Sequence, residues 1–192
     1  MGEGFFDPEI KALDPKTGQG NPFATYAFAT QGALVSLDVD SGQVEVLSVV
    51  ACHDIGRAIN PASVTGQIEG SVSMGLDYTS MEEVLLEGGR ITNPHFSQYF
   101  IPTSLDMPEI ISHLVEAPEA SGPFGAKGVG EPALIPTAPA ILNAMSAAAD
   151  IRVNDLPATP EALWKLLSSL PEKQINETSG KITGNPTQPP LK

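Results

Sequence analysis

A glycine-rich loop, Gly125-Ala-Lys-Gly-Val-Gly-Glu131, constrains the fold of this chain more than any other stretch of its sequence. Glycine lacks a Cβ, so the loop can bring bare backbone N–H groups close to a ligand. N–H groups near the start of a helix favour an anion, and an apolar, alanine-rich segment begins at Thr137. The pattern indicates an anion-binding loop with one carboxylate, that of Glu131, at its rim as a general base.

Two common nucleotide-binding patterns do not fit this loop. Lys127 is followed by Gly128 rather than by Ser or Thr, so no hydroxyl is placed for magnesium as in a phosphate loop. The glycine spacing also differs from that of the dinucleotide fingerprint. The loop is therefore an anion-binding loop of another type or simply a turn. Glu131 is correspondingly either a base or a solvated loop side chain.

Composition argues against several classes of partner and site. The chain carries 23 acidic and 10 basic residues, a net charge of −13, which argues against a nucleic-acid partner and against an anionic membrane surface. No secretory signal or membrane-spanning apolar run is recognised, so we expect a cytoplasmic protein. The single cysteine, Cys52, cannot build an iron–sulfur cluster or a structural zinc site, and we expect it in the core. The three histidines lack ligand spacing, so we expect no metal bound by protein side chains.

Hydrophobic periodicity predicts an α+β domain with strands in mixed hairpins and about three helices. Residues 1–170 are expected to form one lobe, and residues 171–192 a polar, proline-rich tail. Cap signals predict helices from Asn60-Pro61 to about Ser80, from 137 to 149, and from Thr159-Pro160 to about 170. The five or six expected strands are 23–30, 33–40, 43–51, 83–87, 90–92 and 110–116.

Gln67 lies in the first predicted helix between Gly66 and Gly70. Each glycine in a soluble helix costs about 1 kcal/mol relative to alanine. Two on one face therefore predict the close approach of another backbone or of a ligand. An amide offers both a donor and an acceptor, which suits a heterocyclic, amide-like ligand; otherwise Gln67 is a solvent-facing helix residue.

Four sequence blocks occur in a fixed order along the chain, and the ordered set identifies a protein family more specifically than any single block does. Together they resemble the C-terminal part of the molybdenum-binding subunit of the xanthine dehydrogenase/aldehyde oxidase family, over about residues 2–170. The blocks are His53-Asp-Ile-Gly-Arg-Ala-Ile-Asn-Pro61 with Gly66-Gln-Ile-Glu-Gly70, Tyr99-Phe-Ile-Pro-Thr-Ser-Leu-Asp-Met-Pro108, Gly122-Pro-Phe-Gly-Ala-Lys-Gly-Val-Gly-Glu-Pro132, and Leu156-Pro-Ala-Thr-Pro-Glu161.

The resemblance implies a reaction and a set of site residues. Members of the family hydroxylate purines, other N-heterocycles or aldehydes, with water as the oxygen source. The resemblance assigns the role of general base to Glu131 and a hydrogen bond to the cofactor to Gln67. It also implies that the loop backbone of Lys127, Gly128, Val129 and Gly130 lines the cofactor pocket.

The resemblance also implies cofactors and partners. The cofactor is a molybdenum–pterin, as molybdopterin or molybdopterin cytosine dinucleotide, shared with a partner chain. The 2Fe–2S clusters, and often FAD, belong to partner chains only. The implied partners are an N-terminal molybdopterin-binding lobe, an iron–sulfur subunit, an FAD subunit where there is one, and a small-molecule substrate.

The blocks of the upstream lobe and of the iron–sulfur clusters are missing from this sequence. We therefore expect a split subunit or a fragment that is inactive as an isolated chain. Two alternatives stay open at this point. One is a non-catalytic module of the same family that binds the cofactor or a partner, as a remnant or an assembly factor. The other is a general anion or nucleotide binder that uses the glycine loop.

Overall fold

The computed structural model describes residues 2–169. The expected tail at 171–192, and the first and last residues of the expected lobe, lie outside the described residues. Within them the elements follow the order β1, β2, α1, β3, β4, β5, α2, α3. Five strands and three α-helices confirm the expected α+β fold.

A three-stranded sheet of order β1-β2-β5 forms the framework. Strands β1 (Ala29–Leu37) and β2 (Val44–Asp54) pair antiparallel, with a bulge between Leu34 and Val35. Gly42 closes the hairpin with a φ of +73°, a left-handed conformation that glycine adopts without strain. The expected turn at 41–42 is therefore confirmed. Strand β5 (Glu109–Val115) pairs parallel with β2.

One predicted strand is wrong. Residues 23–28 are irregular, and β1 begins only at Ala29. The alternation of apolar residues there does not reflect a buried face, because Phe23, Tyr26 and Phe28 are all more than half exposed. Strand β2 also continues to Asp54, beyond its expected end.

The three helices begin at the expected caps or residues. Helix α1 (Pro61–Ser80) is capped by Asn60, whose Oδ1 accepts a hydrogen bond from Ser63 N at 3.2 Å. Helix α2 spans Thr137–Ala149. Helix α3 (Pro160–Ser168) is capped by Thr159 Oγ1, which accepts from Ala162 N at 3.2 Å. Side-chain caps of this kind satisfy N–H groups that have no partner inside the helix.

The core lies between the sheet and helices α1 and α2. Alternate residues of β2 face this side, and its two fully buried aliphatic residues are Val49 and Ala51. They pack against Ile68 and Val72 of α1. A second cluster joins the end of α1 to α2 and α3 through residues such as Ile141. Burial of these side chains attaches the helices to one face of the sheet.

The opposite face of the sheet is not covered by the described residues. Leu34, Val50 and Ile111, one from each strand, retain exposures of 55%, 40% and 39%. Cys52 alternates with the buried residues of β2 and is only half-buried. The expectation that it lies in the core is therefore wrong.

The remaining structure connects these elements. A small hairpin of β3 (Leu86–Glu87) and β4 (Arg90–Ile91) confirms the expected turn at 88–89. Residues 93–108 are irregular, as expected. Among the described residues, none of the helices is both long enough and apolar enough to cross a membrane.

Candidate functional site

The glycine loop is attached to the end of strand β2. Lys127 N donates to Ile55 O at 3.0 Å, and Arg57 N donates to Gly125 O at 2.8 Å. Gly56 lies between them with a φ of +65°. A Cβ at Gly56 would lie 2.8 Å from Lys127 N, so this contact requires glycine. The strand end therefore fixes where the loop begins.

The Lys127 side chain is directed into this chain. Its Nζ donates to Asp54 Oδ2 at 2.6 Å and to Tyr26 O at 3.1 Å, and it lies 5.4 Å from the ring centroid of Phe28. The hydrogen bond from Lys127 holds the pKa of the Asp54 carboxyl below its usual range. The ammonium group is thus already paired, and so is the Lys127 N–H. Of the four predicted loop residues, this one has the least capacity left for a ligand.

The rest of the loop carries free backbone donors. Within residues 2–169, nothing accepts a hydrogen bond from the N–H groups of Gly128, Val129, Gly130 or Glu131. Gly128 and Gly130 are exposed, and a Cβ built on Gly128 would meet nothing within 4 Å. Unpaired donors on an open loop are the features that an anionic ligand requires.

Helix α1 meets the loop at Gly130. Ser71 Oγ donates to Gly130 O at 2.9 Å. One turn earlier, Gln67 Oε1 lies 3.9 Å from the position of a Cβ on Gly130. The Gln67 amide makes no hydrogen bond to any described residue, and Glu131 is the next residue after Gly130. The structure therefore brings Gln67, Gly130 and Glu131 together.

Two clefts flank the loop. One, of about 180 Å³, separates it from the start of α1. The other, of about 290 Å³, separates it from residues near the N-terminus, including Phe6 and Thr25. Gly128 lines the second cleft, and Lys127 lines both. The first cleft is lined by Ile55, Arg57, Ile59, Asn60, Ser63, Val64, Gln67, Ala126, Lys127 and Val129.

Glu131 is exposed. Its carbonyl accepts from Leu134 N at 3.1 Å, so it opens the turn that leads into α2. The neighbouring apolar residues of the same chain do not shield this carboxylate. Pro132 and Leu134 are half-buried and Ala133 is buried, so these side chains pack toward the core rather than around Glu131. A dry environment for this acid would require another surface.

The expected close approach to Gly66 and Gly70 is absent among the described residues, where a Cβ on either glycine would meet nothing within 4 Å. The glycine of α1 that does pack closely is Gly75. A Cβ there would lie 2.7 Å from Thr137 Cγ2. The face with Gly66 and Gly70 is open, so it stays free for a ligand or a partner.

A buried polar network behind the loop was not found from the sequence. Gln31 Nε2 donates to Ala133 O at 2.8 Å and lies 3.0 Å from His53 Nε2. Thr137 Oγ1 lies 2.8 Å from Gln31 Oε1 and 3.1 Å from Ala133 O. His53 is 2% exposed, and its burial lowers the pKa of the imidazole. Gln31 and Ala133 are 102 positions apart, and Gln31 falls between two predicted strands, so no local pattern signals this contact.

No three His, Cys, Asp or Glu side chains cluster within residues 2–169 so as to hold a metal ion. The donors around the loop are instead backbone N–H groups and a neutral amide. Such a set fits an anionic, heterocyclic group better than a bare cation.

Known proteins resemble this chain in both sequence and structure. Residues 1–108 match the family model described as a molybdopterin cofactor-binding domain. The chain is 33% identical over 141 residues to the xanthine dehydrogenase molybdenum-binding subunit of Escherichia coli O157:H7. That alignment covers 72% of this chain and 19% of the relative.

Two solved structures share the fold. The aldehyde oxidoreductase from Desulfovibrio gigas superposes with a TM-score of 0.76 at 31% identity, over 83% of this chain and 17% of its own. The quinoline 2-oxidoreductase from Pseudomonas putida 86 superposes with a TM-score of 0.68 at 32% identity, over 72% of this chain and 18% of its own. The chain thus spans about one fifth of the length of the relatives that it matches.

Proposed function

The chain belongs to the family of molybdopterin cofactor-binding domains, and on that basis we propose that it supplies the C-terminal lobe of a molybdenum hydroxylase. The complete enzyme would oxidise N-heterocycles of the purine kind or aldehydes, with water as the source of oxygen. The single observation that carries the proposal is the convergence at Gly130. There Gln67 Oε1 lies 3.9 Å from the position of a Cβ on Gly130. No described residue accepts from the N–H groups of this part of the loop, and Glu131 follows Gly130 directly in the chain.

The residues at this point fit an anionic pterin group. Gly128, Val129 and Gly130 each offer a backbone N–H that no described residue uses. Gln67 can donate to and accept from the polar edge of a heterocycle. When bound, a molybdenum–pterin supplies two-electron redox chemistry. We propose that these four residues hold it together with a partner lobe, and that Lys127 contributes through the surface of its aliphatic stem.

Glu131 is proposed to act as the general base. One of its Oε atoms would take a proton from the water-derived oxygen as that oxygen is transferred to the substrate. A base of this kind contributes about 10²- to 10⁴-fold in rate. Glu131 is exposed in this chain, so the companion lobe would complete the shielding of the reaction from bulk water.

Replacement of the carboxylate tests this role. In the complex reassembled with its partner chains, Glu131→Gln is expected to lower kcat by at least about 100-fold. Molybdenum and pterin contents should stay at the wild-type level, because the change does not touch the backbone donors. Glu87→Gln, an exposed site on strand β3, serves as the matched control. Undiminished hydroxylation by Glu131→Gln with normal metal content would reject the assignment.

A second candidate function is a module that binds the cofactor or a partner without catalysis. The exposure of Glu131 favours it, since an isolated solvated carboxylate is a poor base for this chemistry. Native mass spectrometry of the chain purified gently from its source separates the two functions. Recovery with an iron–sulfur protein and a second molybdopterin-binding lobe supports the enzyme; a monomer without pterin supports the non-catalytic module.

A further inference from the structure

Glu131 lies between two anchored carbonyl groups. Gly130 O, immediately before it, accepts from Ser71 Oγ at 2.9 Å. Ala133 O, two residues after it, accepts from Gln31 Nε2 at 2.8 Å. The Glu131 side chain itself makes no hydrogen bond to a described residue. Its position is therefore set by the main chain on both sides, and the main chain is held by these two donors.

Both donors come from elements that do not otherwise belong to the loop. Ser71 lies on α1 one turn after Gln67 and is 4% exposed. Gln31 is the third residue of β1. Water has little access to a buried hydrogen bond and competes with it only weakly. Such a bond therefore restrains the geometry of its partners more than a bond at the surface would. The sheet and α1 thereby hold the two ends of one short turn.

The Gln31 amide has three partners, and one of them, the carbonyl of Ala133, defines its orientation. Its Nε2 donates to Ala133 O and to the unprotonated Nε2 of His53, while its Oε1 accepts from Thr137 Oγ1. Turning the amide over would place Oε1 against Ala133 O, and two carbonyl oxygens at this distance have no proton to share. With Nε2 on the side of Ala133 O, the His53 Nε2 that faces the same N–H₂ group must accept, so the buried imidazole is neutral.

We propose that Ser71 and Gln31 are positioning residues for Glu131. They fix the turn from Gly130 to Ala133 so that the carboxylate projects beside the Gln67 amide. This inference rests on the proposed role of Glu131 as a base. Both residues lie outside the glycine loop, so the loop motif alone does not identify them.

Amide hydrogen exchange on the full chain tests the restraint directly. The reporter is segment 131–137, in which Leu134 N donates to Glu131 O and Thr137 N donates to Leu134 O. Ser71→Ala and Gln31→Met each remove an anchor while largely preserving volume. Loss of one hydrogen bond is expected to speed exchange of this segment about three- to tenfold.

The matched control is Ser80→Ala. Ser80 Oγ donates to Leu76 O at 2.8 Å, so this variant removes the same chemistry from the same helix away from the loop. It should leave exchange of segment 131–137 unchanged. Gln31→Glu keeps the side-chain shape and provides a second variant should Gln31→Met fail to fold. Its carboxylate can pair with a protonated His53 but cannot donate to Ala133 O, so it should still loosen the segment.

Kinetics of the reassembled holoenzyme test the consequence. Displacing a reacting group by about 1 Å can cost about 100-fold in rate, so each anchor variant is expected to lower kcat by about 10- to 100-fold. KM and cofactor content should stay constant, and the pH dependence of kcat should shift. A purely structural role would reduce the amount of folded enzyme without moving its pH profile.

The outcomes separate this inference from the proposed function. Full kcat in both anchor variants, alongside an inactive Glu131→Gln, would overturn the positioning role and leave the function standing. Turnover by Glu131→Gln would overturn the function and with it the positioning role. Wild-type exchange of segment 131–137 in both anchor variants would show that neither residue restrains the turn, whatever the activity.

Discussion

The hydrogen bond between Gln31 and His53 ties the protonation state of one buried side chain to the stability of the fold. In the sequence His53 is a lone histidine without ligand spacing. In the fold it is 2% exposed and accepts a hydrogen bond from Gln31, which requires the neutral imidazole. Protonation of Nε2 would set two donors against each other.

We therefore expect the free energy of unfolding to depend on pH through His53. Burial lowers its pKa in the folded state, below the value of about 6.5 in the unfolded chain. Below about pH 6.5 the unfolded state thus binds more protons than the folded state. The stability that the neutral His53 contributes is therefore fully present above about pH 6.5. It is lost as the pH falls through the lowered pKa of the folded state. Urea unfolding between pH 5 and 8 measures it.

Asp77 titrates in the same range with the opposite sign. Burial raises the pKa of its carboxyl to about 6, so its contribution to stability is lost as the pH rises from the unfolded value towards 6. The His53 series should therefore be measured in an Asp77→Asn background. There, His53→Asn should flatten the pH dependence, while His113→Asn, at an exposed site, should not. Equal slopes in both variants would contradict the assignment.

At the level of the elements, the packing of α1 against α2 depends on Gly75 rather than on Gly66 and Gly70. Periodicity identifies glycines that share a helix face, but it cannot tell which face meets another helix. That depends on how α1 and α2 cross, and Thr137 occupies the space where a side chain at position 75 would lie.

Replacing Gly75 and replacing Gly66 by alanine should change the free energy of unfolding in opposite directions. Gly75→Ala is expected to lower the free energy of unfolding by about 1–3 kcal/mol, because the new methyl group overlaps Thr137. Gly66→Ala enters open space and should raise it by about 0.5–1 kcal/mol through better helix propensity. Urea denaturation of the two variants, matched in helix and in chemistry, provides the measurement. Destabilisation by Gly66→Ala would show that this face is covered.

On the scale of the whole molecule, residues 2–169 cover one face of the three-stranded sheet and leave the other face open. Leu34, Val50 and Ile111 remain partly exposed on the open face. The glycine loop is also open, with clefts on two sides. The alignments cover 19% and 17% of the length of two relatives that the chain matches. These features support a lobe that works together with further protein.

We accordingly expect the isolated chain not to turn over. Glu131 is exposed, and a solvated carboxylate lacks the water-excluded surroundings that strengthen interactions in an active site. The measurement is hydroxylation of an aldehyde and of an N-heterocycle with an artificial electron acceptor, by the chain incubated with the molybdenum–pterin group. The reassembled complex is the positive control. Turnover that scales with the chain alone and disappears in Glu131→Gln would contradict the expectation.

Local chemistry along the chain was sufficient to determine much of the architecture. Asn60 with Pro61, and Thr159 with Pro160, set the starts of α1 and α3, because capping involves only a few consecutive residues. The turn at Gly42 likewise follows from neighbouring residues. The ordered motifs also led to Gln67, the glycine loop and Glu131 as candidates, although their roles remain proposals.

Tertiary structure alone decided what depends on contacts between distant residues. The parallel pairing of β2 with β5, the burial of Lys127 against Asp54 and the exposure of Glu131 each depend on segments far apart in the chain. The same holds for the anchoring of the turn by Ser71 and Gln31. Such contacts form because the packing of the whole chain brings their partners together. The hydrophobic periodicity and the secondary-structure propensity of a segment do not specify which distant residue it will meet.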